Sequence, residues 1–284
     1  MQPSTGYTLG FAASICVFCS IFVAGAAVAL KDRQDANKVL DRQKKVLSVA
    51  GLDCVDDMTP DEIGEAFNKV EPILVDMEAS PPQAVSAASV DAEYGIADVS
   101  DYDPRKAAKD PAINIMVDPN PAKVAKMARY EVVYRFKRLA DSDNPCGEAV
   151  LPNQLIVPIQ GPGLWSTLYG YISLTVSDTS DTNTVNGLIF YEHAETPGLG
   201  GEVDNPKWKA QWTSKKVRDS EEGPVTLAVV KGMAKDEYGV DGLSGATITS
   251  NGVTEALRFW LGKGKFEPET LKGIVAFDST GTGD

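Results

Sequence analysis

The chain has 284 residues, 43% of them hydrophobic, and its 40 acidic and 27 basic side chains give a formal net charge of -13. That length suits one large domain or two small ones, and the acidic balance argues against nucleic acid as a partner, because neutralising a phosphate backbone needs a basic face. With one histidine and four cysteines, histidine-rich metal sites and mechanisms needing two imidazoles are set aside, which leaves carboxylates, hydroxyls, backbone groups or a borrowed cofactor.

Residues 7–30 carry no charged side chain. As a helix rising about 1.5 Å per residue, that run reaches roughly 36 Å, enough to cross a hydrocarbon core of about 30 Å. Residues 1–30 are therefore expected to form a transmembrane anchor. A cleaved signal peptide is the poorer reading, because no Lys or Arg precedes the apolar run. Cys16, Ser20 and Ala24, with Gly25 and Ala29, form a small-residue stripe that admits a neighbouring helix. Cys16 and Cys19 are expected to stay free thiols, since the chain offers no second pair to complete a cluster. Lys31, Arg33, Lys38, Arg42, Lys44 and Lys45 follow the span and no basic residue precedes it, so the positive-inside rule alone leaves the following domain in the cytoplasm. Asp32, Asp35 and Asp41 are interleaved with them.

Ala36, Val39, Leu40, Val46, Leu47 and Ala50 fall on one stripe and predict an amphipathic helical stalk over 31–50. Residues 51–284 are expected to form one soluble α+β domain. Thr59 followed by Pro60, Asp61 and Glu62 is a helix start. The stretch 79–122, rich in Pro, Ala, Ser and Asp, reads as an extended, exposed connection. Strands are predicted over 130–136, 155–159, 168–176, 185–191 and 225–230. A final helix is predicted over 252–261, where Val253, Ala256, Leu257, Trp260 and Leu261 share a face.

Three glycine-rich loops punctuate this pattern: Gly161-Pro162-Gly163-Leu164-Trp165-Ser166, His193-Ala194-Glu195-Thr196-Pro197-Gly198-Leu199-Gly200, and Asp241-Gly242-Leu243-Ser244-Gly245-Ala246-Thr247-Ile248-Thr249. The third lies just before the last helix, where free N–H groups and the helix dipole favour an anion. Gly242, Gly245 and Ala246 let a phosphate approach the backbone, and Ser244, Thr247 and Thr249 add hydroxyls. The same residue types also make ordinary turns and caps, so composition alone leaves both readings open.

The order Asp241-x-x-Ser244-Gly245-Ala246-Thr247 resembles the flavinylation motif of the FMN-binding domain family, in which the FMN phosphate is joined to the threonine hydroxyl as a phosphoester. The resemblance implies covalent FMN on Thr247. With the other two loops in the family's order and an anchor upstream, the whole chain, including the stalk sequence Leu40-Asp41-Arg42-Gln43-Lys44, is similar to the C subunits of sodium-translocating NADH:quinone oxidoreductases. That likeness implies a single-pass subunit of the bacterial inner membrane that relays electrons from NADH towards quinone. It further implies other membrane subunits and a flavin transferase as partners, and a periplasmic domain against the charge count. No function is carried onto 79–122.

An isoalloxazine ring needs apolar faces and a few backbone donors. Leu164, Trp165 and Leu199 are candidates for the faces, and the backbone at Gly163, Thr196, Gly198 and Gly200 for the ring edge. Trp165 reads equally well as a core residue. His193 is expected to be structural, because electron transfer needs no general base. Glu192 and Glu195 are expected as exposed loop carboxylates, with the ordering of the flavin loop as a second role for Glu195. Cys54 and Cys146 are compatible with a disulfide outside the cytoplasm, although sequence does not establish their proximity. Two rivals remain open at this point: a ferredoxin-linked electron-transport subunit of the same chemistry, and a membrane-tethered assembly protein whose glycine loops are only turns.

Overall fold

The computed structural model describes residues 4–96, 99, 102–136, 146, 153–177 and 181–278. Residues 1–3 of the expected anchor, 97, 98, 100 and 101 of the expected connection, and the side chains of Asp32 and Asp35 lie outside the described set. Two compact units are present, Met1–Gln43 and Lys44–Asp284. Helix α1 (Thr5–Val49) supplies the first. Its Thr5–Lys31 stretch is long and apolar enough to cross a membrane, and none of the apolar window is buried. Within that stretch Ser14 Oγ donates to Gly10 O at 2.9 Å, which satisfies the serine inside the helix.

In the second unit, the end of α1 is held by apolar burial, with Val46, Leu47, Val49 and Ala50 all enclosed. The helix stops at Gly51, whose φ of +99° lets Leu52 N donate to Leu47 O and Gly51 N to Ser48 O, a Schellman closure. Gln154 Nε2 and Asn186 Nδ2 then bind the free carbonyls of Ala50 and Val49 at 2.8 and 3.2 Å. Cys54 is disulfide-bonded to Cys146, with Cα atoms 5.2 Å apart. Helix α2 (Pro60–Phe67) starts at the expected place, through a capping box between Thr59 and Glu62.

The centre is a six-stranded antiparallel sheet built from β1 (Val70–Asp76), β2 (Gln83–Val85), β5 (Tyr130–Phe136), β6 (Gln154–Pro162), β7 (Thr167–Thr175) and β8 (Thr184–Glu192), in the order β2-β1-β5-β6-β7-β8. Two small ladders flank it: β3 (Asn114–Met116) with β4 (Lys126–Ala128), and β9 (Ala228–Val230) parallel to β10 (Gly239–Asp241). Strand β1 escapes the sequence reading because Pro72 interrupts it. The proline is tolerated because β2 pairs only with Leu74, Val75 and Asp76, so β1 has no β2 partner at Pro72. The expected strand over 225–230 shortens to β9.

Helix α6 (Thr247–Trp260) lies on this sheet and begins five residues before the expected start. Its predicted apolar face holds, with Val253, Leu257, Trp260 and Leu261 in one core with Leu155, Val157 and Ile159. The approach is backbone to backbone, since a Cβ at Gly252 would sit 1.6 Å from Pro162 O and one at Gly161 would sit 2.6 Å from Ala256 Cβ. A further helix, α7 (Pro268–Ala276), follows the one expected to be last. The 79–122 stretch is not uniformly extended and exposed: it forms β2, α3 (Ala87–Tyr94), α4 (Pro104–Ala107) and β3. Val90, Ile96, Tyr102, Ala107 and Ala122 are buried, five apolar anchors too widely spaced to show as a period. The architecture is α+β.

Candidate functional site

The three glycine-rich loops meet at the N-terminal end of α6. After β10 the chain makes a tight turn, Ala246 N donating to Leu243 O at 3.1 Å, with Gly245 at φ +72°. Leu243 N donates to Ser250 Oγ at 3.1 Å, which pins the turn to the helix it introduces. Ala246 occupies the N-cap position and supplies no side-chain cap. Thr247 is therefore the first helical residue, exposed, at an uncapped N-terminus. Ser244 and Gly245 are exposed beside it. A Cβ at Gly245 would stand 2.9 Å from Leu199 Cδ2, so the 193–200 loop lies directly against this turn.

That loop contains its own turn: Leu199 N donates to Thr196 O at 3.1 Å, with Gly198 at φ +77° after Pro197. Gly201 N donates to the same carbonyl, so the N–H groups of Leu199 and Gly201 are both committed within the loop. Trp165, on the hairpin between β6 and β7, is 68% exposed, which removes the core reading, and its Nε1 donates to Thr196 Oγ1 at 3.1 Å.

Glu195 corrects the expectation of an exposed loop carboxylate, because only 6% of it is accessible. Its Oε1 accepts from Trp165 N at 3.0 Å and its Oε2 from Thr249 Oγ1 at 2.5 Å. Burial pushes its pKa up, but the bonds from Thr249 and from the Trp165, Leu164 and Ser166 amides outweigh that and hold it below the usual carboxylate range. One side chain thus reaches all three loops. Thr249, expected at the phosphate, is instead 1% exposed with its hydroxyl committed to Glu195.

The other candidates fall behind this surface. Asp241 accepts from Ala234 N at 2.7 Å and its own amide donates to Gln211 Oε1 at 3.0 Å, so it shapes the loop that precedes β10. Both ring nitrogens of His193 have local partners: Nε2 lies 2.8 Å from Asp204 Oδ2, and Nδ1 accepts from Glu195 N at 3.2 Å, which puts the ring proton on Nε2. Glu192 is exposed yet paired, taking both terminal nitrogens of Arg105 at 2.6 and 2.8 Å, and that hydrogen bonding lowers its pKa. Arg105, which sequence reasoning missed, also stacks 3.9 Å over the Tyr169 ring. A cleft of about 640 Å³ opens beside the hairpin, with Gly163, Leu164, Trp165, Lys109, Lys123 and Lys126 among its lining residues. Among the described residues no group of His, Cys, Asp and Glu is arranged to hold a metal ion.

Six large apolar side chains of the second unit are exposed among the described residues, and four of them, Leu164, Trp165, Leu199 and Ile248, belong to these loops. Ile248 was also missed. Its signal was an apolar residue in an otherwise polar first turn. Exposed apolar clusters of this kind mark binding surfaces. Apolar faces next to an uncapped helix N-terminus suit a ligand with a flat ring and a phosphate, and FMN fits that donor set.

Fold and site together define an FMN-binding domain, and residues 163–262 match the family of that description. The chain is 42% identical to the C subunit of the Na(+)-translocating NADH-quinone reductase of Pseudomonas aeruginosa, over 94% of this chain and 95% of that protein. It is 37% identical to the C subunit of the Yersinia pestis enzyme, over 94% and 92%. It is also similar to the crystal structure of Shewanella oneidensis NqrC, with a TM-score of 0.68 and 32% identity over 84% of this chain and 98% of that one. The corresponding protein from Parabacteroides distasonis follows at 0.55 and 26%, over 90% and 98%. The chain belongs to the NqrC family, the C subunits of Na(+)-translocating NADH-quinone reductases.

Proposed function

We propose that this chain is the membrane-anchored FMN subunit of a sodium-translocating NADH:quinone reductase, relaying electrons through FMN held by a phosphoester to Thr247. The observation that carries the reading is the Thr247 hydroxyl: exposed, on the first residue of an uncapped 14-residue helix, among four exposed apolar side chains. FMN supplies the electron-carrying chemistry. The chain supplies the hydroxyl that becomes the ester oxygen, helix N–H groups for the phosphate, and Leu164, Trp165, Leu199 and Ile248 for the ring. Ser244, Gly245 and Ala246 shape the phosphate turn, the backbone of Gly163, Thr196, Gly198 and Gly200 shapes the ring edge, and Asp241 and Thr249 act from behind.

A flavin transferase is the maturation partner, since ester formation is not a reaction this surface is equipped to drive, and other membrane subunits are the electron partners. Residues 1–30 serve as a single-pass anchor in the bacterial inner membrane, 31–50 as a stalk, and 51–284 as the FMN-binding domain. The Cys54–Cys146 disulfide favours the oxidising periplasm for that domain over the side suggested by the basic stalk. Intact-mass and peptide-fragment spectra of the full chain, coexpressed with a flavin transferase, test the attachment. An FMN adduct mapping to Thr247 is expected, and an adduct surviving on Thr247→Val overturns it. Protease accessibility in intact spheroplasts tests the orientation.

A further inference from the structure

We infer that Glu195 is the positioning residue of the flavin site, a single carboxylate that holds the 163–166 hairpin, the 193–200 loop and the first turn of α6 in register and fixes a negative charge next to the turn bearing Thr247. The inference rests on the reading of Thr247 as the attachment point.

The glycines of the motifs carry the argument. Glycine-rich loops beside a nucleotide site are ordinarily read as room for the ligand. Here a Cβ at Gly163 would stand 2.4 Å from Glu195 Oε1, and a Cβ at Gly200 would stand 2.4 Å from Oε2. These two glycines make room for the carboxylate, and also for Ser166 O beside Gly163 and for Thr249 Oγ1 beside Gly200, each 2.7 Å from the Cβ position. Gly198 differs, with nothing within 4 Å of its position and a positive φ that serves the turn. Glu195 is flanked on both oxygens by the backbone of two loops and bonded through Thr249 to the helical turn that starts at Thr247. A buried carboxylate with four donors around it stays ionised. A fixed negative charge close to a flavin disfavours the arrival of electrons and lowers its potential.

Glu195→Gln keeps the shape but removes the charge, and its NH2 group has no acceptor among the hairpin amides. The test uses the detergent-solubilised full chain, produced with and without a flavin transferase. Intact mass of the parent comes first: no adduct sinks the attachment reading and this inference with it, whereas an adduct leaves the next measurements to decide the inference alone. In the adduct-free protein, Glu195→Gln should speed amide exchange at residues 164–166 and in the first turn of α6 together. In the loaded protein, spectroelectrochemical titration should show a flavin midpoint more positive than the parent's. Thr249→Val keeps the charge, so it should loosen the α6 turn while leaving the midpoint near the parental value. An unchanged midpoint in Glu195→Gln, or exchange altered only within 193–200, overturns the proposal. If Glu195→Gln does not accumulate, Gly200→Ala decides in its place, because a methyl there must displace the carboxylate, and unchanged exchange at 164–166 overturns the proposal equally.

Discussion

Two buried carboxylates, at different places in the second unit, behave in opposite ways. Glu131 on β5 and Glu195 in the site are 7% and 6% exposed, but Glu131 lies deep in the domain whereas Glu195 sits close beneath the surface of the site. Glu131 is pushed up to about 8, chiefly by burial, with one backbone bond from Ala128 opposing it and the charge of Asp103 adding to it. Glu195 is held low because four donors surround it. Depth and the supply of hydrogen-bond donors together decide whether a buried acid is charged. Where the sheet needs an apolar interior, the acid is neutral near neutral pH; at the site, it is ionised there.

The largest expected effect is on Glu131. Its folded pKa lies above the unfolded value of about 4.5, so between those values the folded state binds the extra proton. Its contribution is fully present below about 4.5 and is lost as pH rises through about 8, with a slope approaching about 1.4 kcal/mol per pH unit within that window. Urea unfolding at pH 5, 6.5 and 8 should show parental stability falling across the series and Glu131→Gln flattening it. An identical slope in the two proteins would remove Glu131 from the account.

Glu195 should show the reverse sign and the next largest effect. Its stabilisation is present above about 4.5 and is lost as pH falls through the lowered folded pKa. Glu195→Ala leaves Thr249 Oγ1 and the hairpin amides without their acceptor, at a cost of about 3 kcal/mol near neutral pH. A chemical denaturation midpoint unmoved by the change would contradict the comparison.

The two threonines of the first α6 turn sharpen the same point on a smaller scale. Thr249→Val removes a buried hydroxyl bond and should cost about 1–2 kcal/mol while the FMN adduct stays. Thr247→Val should change stability by less than about 0.5 kcal/mol and abolish the adduct. Thermal unfolding and intact mass on the same samples separate the two. The smallest effect is expected from removing residues 1–32, which should leave the unfolding midpoint of the remaining domain unchanged, because its buried core begins at Val46.

Much of this was legible in the sequence because it is local. The capping box at Thr59 is four consecutive positions, and the buried face of α6 is one period read off Val253, Leu257 and Trp260. Strands β5 to β8 are β-branched and aromatic runs: β5 keeps its expected bounds, β7 is displaced by one residue, and β6 and β8 extend by one to three residues past their expected ends. The Asp241-to-Thr247 motif, on which the proposed attachment rests, is a contiguous signature. The misses have a common physical origin in distance along the chain. Pro72 hid β1 because its tolerance depends on where β2 stops pairing. The anchors of 79–122 are single buried residues whose partners lie elsewhere.

The sequence by itself determined the apolar run of α1 and the α+β character of the rest, and it singled out the Thr247 hydroxyl on which the proposed attachment rests, since periodicity and short motifs need only neighbouring residues. The burial and hydrogen bonding of Glu195 were decided by tertiary structure. A carboxylate in a Gly/Pro loop is ordinarily solvated, and the groups that bury and bond this one, Trp165 and Thr249, are 30 and 54 residues away. The pairing of Cys54 with Cys146 across 92 residues was decided in the same way. Hydrogen bonds and disulfides act over a few ångströms of space, and chain order carries no measure of that space until the sheet and α6 have packed.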